Sequence, residues 1–171
     1  MESFADPKKN IEYLHLKSDS VVADLGTGSG HYAFALGEKI KAMGGGGHGI
    51  VYAIEVQKSL LDRVKQEADR RGLGNVSVIW GDVDVLGGTK LADNICDALV
   101  VSNVLFQSES REAFLKEANR ILKPGGEVLV IDWGIHISRE EVEKIVQNVG
   151  FSKVKEFDAG AHHWGLLLRK K

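Results

Sequence analysis

The sequence predicts an α/β fold: a single doubly wound, mostly parallel seven-stranded sheet covered by helices on both faces. Short apolar segments alternate with helical segments through most of the 171 residues, and continuously apolar strands are typical of parallel sheets. The first apolar segment leads into three alternating glycines, Gly26, Gly28 and Gly30, which form a turn that admits a ligand close to the backbone. The last two strands are separated by only about six residues. Because a parallel crossover needs more, we expect an antiparallel hairpin there.

Length and composition are those of one globular domain, and we expect residues 1–171 to form it. The net charge of −2 gives no overall attraction to nucleic acid. The single cysteine, Cys96, cannot form an internal disulfide, and the N-terminus has neither the basic nor the apolar region of a signal peptide. No apolar run reaches the roughly 18 residues of a membrane span. These features predict a cytoplasmic protein without membrane contact.

The N-terminal segment, residues 1–17, is expected to cover a core formed by residues 18–171. Asp6 and Pro7 suit the N-cap and the first position of a helix, because aspartate accepts from free amides and proline has no amide to leave unpaired. This helix is expected to continue to about His15 and to pack apolar side chains on the core.

The first half of the core alternates strands with helices that end at glycines. The helix after the glycine turn is expected to end at the Gly44–Gly47 run, and the next helix, whose apolar residues recur at helical spacing, ends before Gly72. The predicted elements are a strand at Val21–Leu25, a helix at His31–Met43, a strand at Ile50–Ile54 ending in Glu55, a helix at Ser59–Arg71 and a strand at Val76–Trp80.

The second half of the core contains a proline-glycine turn and the terminal hairpin. The turn Lys123–Gly126 separates a helix from the fifth strand, because proline and glycine do not continue a helix. The predicted elements are a strand at Ala98–Val101, a helix at Ser110–Leu122, a strand at Glu127–Ile131, a helix at Arg139–Asn148, and hairpin strands at Lys153–Phe157 and Trp164–Leu168.

Polar residues follow the first four strands, at the edge where parallel strands have their carboxyl ends. Glu55 is placed to accept from both hydroxyls of a ribose, and the alternative is a solvated carboxylate at a strand end. Asp82 is placed to accept from an adenine amino group while the amide of Val83 donates to the ring; its alternative is a helix cap or an Asx-turn. The pair Ser102–Asn103 ends the fourth strand.

Asp24 lies inside the first apolar strand, shortly before Gly26. A carboxylate in that position is costly to bury unless it meets a hydrogen-bond donor or a positive charge. An ammonium group of the ligand would supply the charge, whereas amides of the loop would supply donors. The sequence leaves both explanations open.

The segment Gly28–Ala33 also matches the permissive dinucleotide pattern G-x-G-x-x-A, which would predict a nicotinamide-dependent reductase. In that frame the first glycine comes three residues after Leu25 instead of directly at the strand end, and the frame from Gly26 puts His31 where the third glycine belongs. The Tyr-x-x-x-Lys pair starting at Tyr13 precedes the loop, which is a poor place for a reductase's proton donor. A reductase is the second enzyme hypothesis, and a cofactor-binding subunit without catalysis is the non-enzyme hypothesis.

The segment Ala23–Gly30 resembles motif I of class I S-adenosylmethionine-dependent methyltransferases. Tyr52–Glu55 is similar to that family's second strand with its ribose-binding acid, Gly81–Val83 to its adenine-contacting turn, and Leu122–Glu127 to its turn into the fifth strand. The resemblance implies the strand order 3-2-1-4-5-7-6 with the last strand antiparallel, S-adenosylmethionine as cofactor and S-adenosylhomocysteine as product. The cofactor-binding residues that it implies are Asp24, Gly26, Thr27, Gly28, Gly30, Glu55, Val56, Asp82, Val83, Ser102 and Asn103.

These motifs do not name the methyl acceptor. No Asn-Pro-Pro-Tyr or Asp-Pro-Pro-Tyr follows the fourth strand, so the main signature of amino-methylation of a nucleobase or glutamine is missing. Relatives that methylate arsenite use several cysteines, whereas this chain has one. Ser102–Phe106 is similar to the corresponding stretch of small-molecule and quinone-type methyltransferases. We therefore expect an unidentified acceptor, with a small molecule favoured over a macromolecule, and the oligomeric state is left open.

Residues near the other end of the same sheet edge are expected to border the acceptor pocket. His136 is the candidate general base, because the unperturbed pKa of histidine lies near neutrality; the alternative is a surface histidine. No metal site is predicted, since adjacent histidines on an extended chain point to opposite faces and share one ion poorly. Besides the hairpin turn and the segment around Phe4, the expected lining residues are Tyr32, Phe106, Trp133, His162 and His163.

Overall fold

The computed structural model describes residues 5–171, so Phe4 lies outside the described residues. Strands β1 to β7 are Val21–Leu25, Ile50–Glu55, Val76–Trp80, Cys96–Ser102, Leu122–Trp133, Phe151–Gly160 and His163–Lys170. Helices α1 to α5 are Pro7–Asn10, His31–Met43, Lys58–Arg70, Arg111–Ile121 and Arg139–Asn148. In this part of the chain, no helix has the length and apolar character needed to cross a membrane.

The strands form one sheet in the order β3-β2-β1-β4-β5-β7-β6. The neighbours from β3 to β5 pair in parallel, while β7 pairs antiparallel with both β5 and β6. The predicted order and the reversed last strand are confirmed. Because β1 lies between β2 and β4, the chain reverses direction across the sheet at β1, which opens a crevice at the carboxyl ends of these strands.

Helices cover both faces of the sheet and form a hydrophobic cluster on each. On one face α4 and α5 bury Phe114, Leu115 and Val142 against the central strands. On the other face α2 and α3 bury Phe34 and Val64. This double cover explains why the central strands are continuously apolar, as a parallel sheet between two helix layers requires.

Strand bounds differ from the predicted ones where pairing with a distant segment extends a strand. β5 begins at Leu122 instead of Glu127, because Leu122 pairs with Cys96 across a bulge and draws the predicted turn Lys123–Gly126 into the strand. β4, β6 and β7 are also longer than predicted. As a result, the hairpin turn contracts from about six residues to Ala161–His162.

The N-terminal cover is less helical than predicted. Asp6 does cap α1, accepting a hydrogen bond from the amide of Lys8 at 3.0 Å, but α1 ends at Asn10 and only a 3-10 turn follows. The predicted continuation to His15 is wrong. A helix this short has little intrinsic stability, so burial of Ile11 and Leu14, which follow it, determines the path of the backbone.

Candidate functional site

A cleft of about 460 Å³ opens at the carboxyl edge of the sheet, above β1, β2 and β4. The glycine turn after β1, the end of β2, the turn after β3 and the loop after β4 form its walls. All the predicted cofactor residues except Asp24 and Gly30 line this cleft, together with Ser29, His31, Ile54, Gln57, Leu60, Gly81, Asp84, Val104, Gln107 and Ser108.

The glycine turn is held against β2 by backbone hydrogen bonds. The amides of Gly26 and Thr27 both donate to the carbonyl of Ile54, at 3.0 and 2.9 Å. A Cβ on Gly26 would lie 2.6 Å from the side chain of Val104, whereas a Cβ on Gly28, where φ is +56°, would meet no atom within 4 Å. Gly28 therefore has open space on the side where a side chain would stand, next to the cleft.

Glu55 is buried at the end of β2, so it is not the solvated carboxylate of the alternative interpretation. One carboxylate oxygen accepts from the amide of Gly28 at 3.0 Å. The other accepts from the amides of Val56 and Gln57, at 3.0 and 3.1 Å. Glu55 thus ties the glycine turn to the start of the segment after β2, and it lines the cleft.

Asp24 is almost completely buried beneath the glycine turn, with 2% exposure. The hydroxyl of Thr27 donates to its Oδ2 at 2.7 Å. Burial raises the pKa of Asp24 to about 6, and the nearby Glu55 adds to this, although hydrogen bonds from Thr27 and from the amide of Ala33 act in the opposite direction. Its donors are thus too few to offset the cost of burying the charge.

The turn after β3 carries Asp82 and Val83 into the cleft wall. Oδ1 of Asp82 accepts from the amide of Asp84 at 2.9 Å, which is the Asx-turn anticipated as an alternative. The loop is further fixed by Glu117 of α4, which accepts from the amides of Gly87 and Thr89 at 2.7 and 3.2 Å. Despite burial, hydrogen bonds from Arg120 and Thr89 hold the pKa of Glu117 well below its usual range.

Four aromatic side chains, here called the ring cluster, meet beside the cleft: Phe106, Trp133, His136 and His163. His136 stacks on Phe106 with ring centroids 5.0 Å apart and meets Trp133 edge-on at 5.0 Å. Trp133 lies nearly parallel to His163 at 5.8 Å. The structure therefore brings together four of the predicted acceptor-side residues, and His136 is exposed among them.

Asp132 was missed by the sequence analysis and lies directly under the ring cluster. It is fully buried, and its Oδ2 accepts from the amides of Leu105 and Phe106 at 3.0 and 3.3 Å. Its Oδ1 accepts from the amide of Trp133 at 2.8 Å. Burial raises the pKa of Asp132 in spite of these bonds. An acid at the end of an apolar strand, as with Asp24, was the signal available in the sequence.

Tyr32 lies apart from the ring cluster, in the hydrophobic cluster under the N-terminal cover. The amide nitrogen of the Asn10 side chain donates to its hydroxyl at 3.0 Å and to the carbonyl of Ala159 at 3.2 Å. The Tyr32 hydroxyl also shares a hydrogen bond with Ser102, at the cleft. Tyr32 therefore links Asn10 of the N-terminal segment to Ser102 at the end of β4.

The hairpin turn lies at the carboxyl edge of the sheet, as predicted. Trp133 at the end of β5 pairs with His163 at the start of β7, and the amide of Gly134 donates to the carbonyl of His162 at 2.8 Å. His163 is buried, and its Nδ1 lies 2.6 Å from the carbonyl of Ala161. Since a carbonyl only accepts, Nδ1 carries the proton of this hydrogen bond.

The described residues contain no group of three or more histidine, cysteine, aspartate or glutamate side chains arranged to hold a metal ion. Cys96 is a free, buried thiol. Burial raises its pKa to about 12, so it remains protonated at neutral pH. The thiol therefore offers no ligand for a soft ion.

The known proteins that this chain resembles include methyltransferases. The family model of the methyltransferase domain matches residues 16–164. The chain is 33% identical over 129 residues to an arsenite methyltransferase of Aquipseudomonas alcaligenes, a match that covers 74% of this chain and 36% of that protein. It is 29% identical over 163 residues to a protein-L-isoaspartate O-methyltransferase of Pyrococcus horikoshii, covering 90% and 66%. The chain thus spans less than two thirds of the length of these curated relatives.

Solved structures of methyltransferases have the same fold as this chain. A S-adenosylmethionine-dependent methyltransferase of Aquifex aeolicus superposes with a TM-score of 0.85 and 25% identity, covering 97% of this chain and 90% of that one. An arsenic(III) S-adenosylmethionine methyltransferase of Chlamydomonas reinhardtii shares the fold, with a TM-score of 0.72 and 19% identity over 92% and 64% of the two chains. With the matched family model and the observed strand order, the chain belongs to the class I S-adenosylmethionine-dependent methyltransferases.

Proposed function

We propose that this protein transfers a methyl group from S-adenosylmethionine to a small-molecule acceptor. The observation that carries the proposal is the pair of buried carboxylates at the glycine turn: Glu55, which lines the cleft, and Asp24, which lies beneath the turn. Class membership supports the cofactor. The cytoplasmic location remains a prediction from the sequence.

The shape of the cleft and the acids around it support this cofactor. The open space at Gly28 accepts a ligand against the backbone, and Asp24, with its pKa raised to about 6, is a buried acid suited to an ammonium group. Glu55 is proposed to accept from the ribose hydroxyls, and Asp82 with the amide of Val83 to contact the adenine. Thr27, Val56, Ser102 and Asn103 complete the wall, while Gly26 and Gly30 shape the turn.

The cofactor supplies an activated methyl group on a sulfonium, so the main task of the protein is to position the acceptor. The ring cluster is proposed to form the acceptor side of the site. A base is needed only for an acceptor that arrives protonated. His136 is the proposed base, because it is the exposed histidine of the cluster.

A small acceptor is supported by relatives named for small substrates, including arsenite and, at 30% identity over 109 residues, a demethylmenaquinone methyltransferase of Geobacillus kaustophilus. Arsenite itself is disfavoured for this chain, since its one cysteine, Cys96, is a buried thiol with a pKa of about 12. The acceptor is therefore proposed to be organic.

Calorimetric titration tests the cofactor, and labelled methyl transfer tests the activity. S-adenosylmethionine and S-adenosylhomocysteine are expected to bind, whereas the oxidised and reduced nicotinamide dinucleotides are not. Binding of the dinucleotides alone would support the reductase. Cofactor binding without label transfer to any metabolite, peptide or RNA pool would support a non-catalytic binding subunit.

Gly28→Ala separates the cost of backbone strain from the loss of ligand space. Gly28 and Gly125 both have positive φ and open space around the Cβ position, so alanine at either is expected to lower the free energy of unfolding by about 1 kcal/mol. Only Gly28→Ala is expected to weaken S-adenosylmethionine binding, by at least about tenfold. Equal affinities in the two variants, measured by calorimetry, would show that the turn is only structural.

Glu55→Ala is expected to weaken S-adenosylmethionine binding by roughly 1.5–3 kcal/mol, because it removes a charged acceptor from the ribose hydroxyls. The variant Glu55→Gln keeps one oxygen for the amide of Gly28, while it loses the charge and the oxygen that accepts from the amides of Val56 and Gln57. Its affinity is expected to lie between those of the wild type and the alanine variant. Unchanged affinity in both variants would remove Glu55 from the cofactor site.

Replacing His162 and His163 by alanine is expected to change acceptor turnover while leaving cofactor affinity nearly intact. Both residues lie where β6 turns into β7, and β7 is two strands away from β4 in the sheet. Glu55 ends β2 and Asp82 follows β3, on the other side of β1. Calorimetry gives the affinity, and label transfer to the acceptor found in the screen gives the turnover. Normal turnover would remove the pair from the acceptor pocket.

A further inference from the structure

The ring cluster presents flat aromatic surface at the border of the cofactor cleft. Phe106 and Trp133 are partly exposed and His136 is exposed. Val104 and Gln107, which flank Phe106 in the same loop, line the cleft itself. The ring cluster therefore adjoins a loop that lines the space proposed for the cofactor, and a methyl acceptor has to lie beside that space.

Hydrogen bonds to Asp132 fix the backbone that carries the ring cluster. Asp132 binds the amide of Phe106 with one oxygen and the amide of Trp133 with the other, so one buried carboxylate fixes the backbone on both sides of the cluster. His136 is then packed between the two rings, stacked on Phe106 and edge-on to Trp133. Because the backbone that carries Phe106 and Trp133 is fixed before binding, a flat ligand meets flat surfaces that need only small ring adjustments.

Two further observations support a ligand-binding role for the ring cluster. The fold leaves Ile135, beside His136, 65% exposed, so the apolar surface extends beyond the rings. The indole Nε1 of Trp133 is buried without a hydrogen-bond partner among the described residues. Native proteins rarely leave such a donor unpaired, and an acceptor atom on a bound molecule would satisfy it after a small movement of the ring.

We propose that the methyl acceptor is a small planar aromatic molecule that stacks on the ring cluster and carries a hydrogen-bond accepting substituent. Resting on the proposed methyl transfer, this names the chemical class of the acceptor. Offset or edge-to-face contacts between rings stabilise such a complex beyond the apolar area that they bury. A saturated molecule of the same size lacks these contacts and fits a flat surface poorly.

The test compares 2-naphthol with its saturated counterpart, trans-decahydro-2-naphthol, by ligand-observed NMR titration of the full chain. The titration is done with and without S-adenosylhomocysteine, so it requires no methyl transfer. We expect 2-naphthol to bind about tenfold more tightly than the saturated probe. Phe106→Leu and His136→Leu are each expected to remove most of this preference.

Trp80→Leu is the matched control, because Trp80 is 49% exposed and lies on the edge strand β3, away from the ring cluster. It is expected to keep the preference. Equal binding of the two probes, binding of neither, or a preference that survives in both cluster variants would overturn the proposal. Failure of S-adenosylhomocysteine to bind, with the naphthol preference intact, would instead contradict the methyl transfer on which the assignment rests.

Discussion

Asp24→Asn is expected to stabilise the cofactor-free protein at pH 8 by up to about 3 kcal/mol. Folding raises the pKa of this carboxyl from 3.8 to about 6, and each unit of difference corresponds to about 1.4 kcal/mol. Asparagine has nearly the same shape and never ionises. Its side-chain oxygen still accepts from the hydroxyl of Thr27, so the variant avoids burying a charge without losing that hydrogen bond.

The stabilisation has a defined pH dependence. The folded protein holds the Asp24 proton more tightly than the unfolded chain, so the protonated acid favours folding. This contribution is complete below pH 3.8 and is lost as the pH rises through about 6. The two proteins are therefore expected to differ little near pH 4, and the advantage of the variant is expected to grow up to about pH 6 and then remain constant.

The same substitution is expected to weaken S-adenosylmethionine binding by roughly 10- to 100-fold at pH 8, because the proposed ammonium group loses its charged partner. In the wild type, affinity is expected to fall as the pH is lowered through about 6, when Asp24 becomes protonated. The affinity of the variant lacks this dependence. Gain of stability with loss of binding is the pattern of a residue retained for function.

Urea unfolding and calorimetry at several pH values measure both effects. Asp97→Asn is the control, since its carboxylate is 38% exposed and lies at the opposite edge of the sheet; no comparable stabilisation is expected there. Loss of stability at pH 8 in Asp24→Asn would contradict the cost assigned to the buried charge. Unchanged affinity would place the ammonium group elsewhere.

Several elements have the bounds that the sequence predicts, because their signals are local. β1, α2, β3 and α5 agree with prediction at both ends. The α5 helix begins with a capping box of Ser138 and Glu141, three residues apart, which accounts for its sharp start. The path of β5 was not predictable in this way, because its first residue pairs with Cys96, 26 residues earlier in the chain.

In the candidate site, too, residues next to predicted strands were predictable from the sequence, whereas contacts between distant segments were not. The glycine turn, Glu55 and Asp82 follow predicted strands directly, and the structure gathers them at one cleft. The supporting carboxylates Asp132 and Glu117 bind amides 26 to 30 residues away. The predicted helix Ser110–Leu122 contains Glu117, but nothing in its sequence reveals that the partners of Glu117 lie in the loop after β3. Such partners are set by the tertiary fold alone.

Asp132→Ala is expected to lower the free energy of unfolding by about 3 kcal/mol, the opposite sign to Asp24→Asn although burial raises the pKa of both carboxyls. Alanine leaves the buried amides of Leu105, Phe106 and Trp133 without their acceptor, and each unpaired donor costs about 1–3 kcal/mol. Relief of the buried charge offsets part of that loss. Asp132→Asn keeps one acceptor oxygen and is expected to lie between the wild type and the alanine variant.

Leu115→Ala provides a matched control for Asp132→Ala, because it opens a cavity in the core on α4 and costs a similar 2–5 kcal/mol by the usual range. Urea unfolding compares the stabilities, and amide hydrogen exchange shows where each loss is felt. Asp132→Ala is expected to speed exchange at Leu105, Phe106 and Trp133 beyond the effect of global destabilisation, whereas Leu115→Ala is not. Exchange that rises equally in the two variants would mean that Asp132 stabilises the fold without orienting the ring cluster, since only the local loss of three hydrogen bonds separates these two roles.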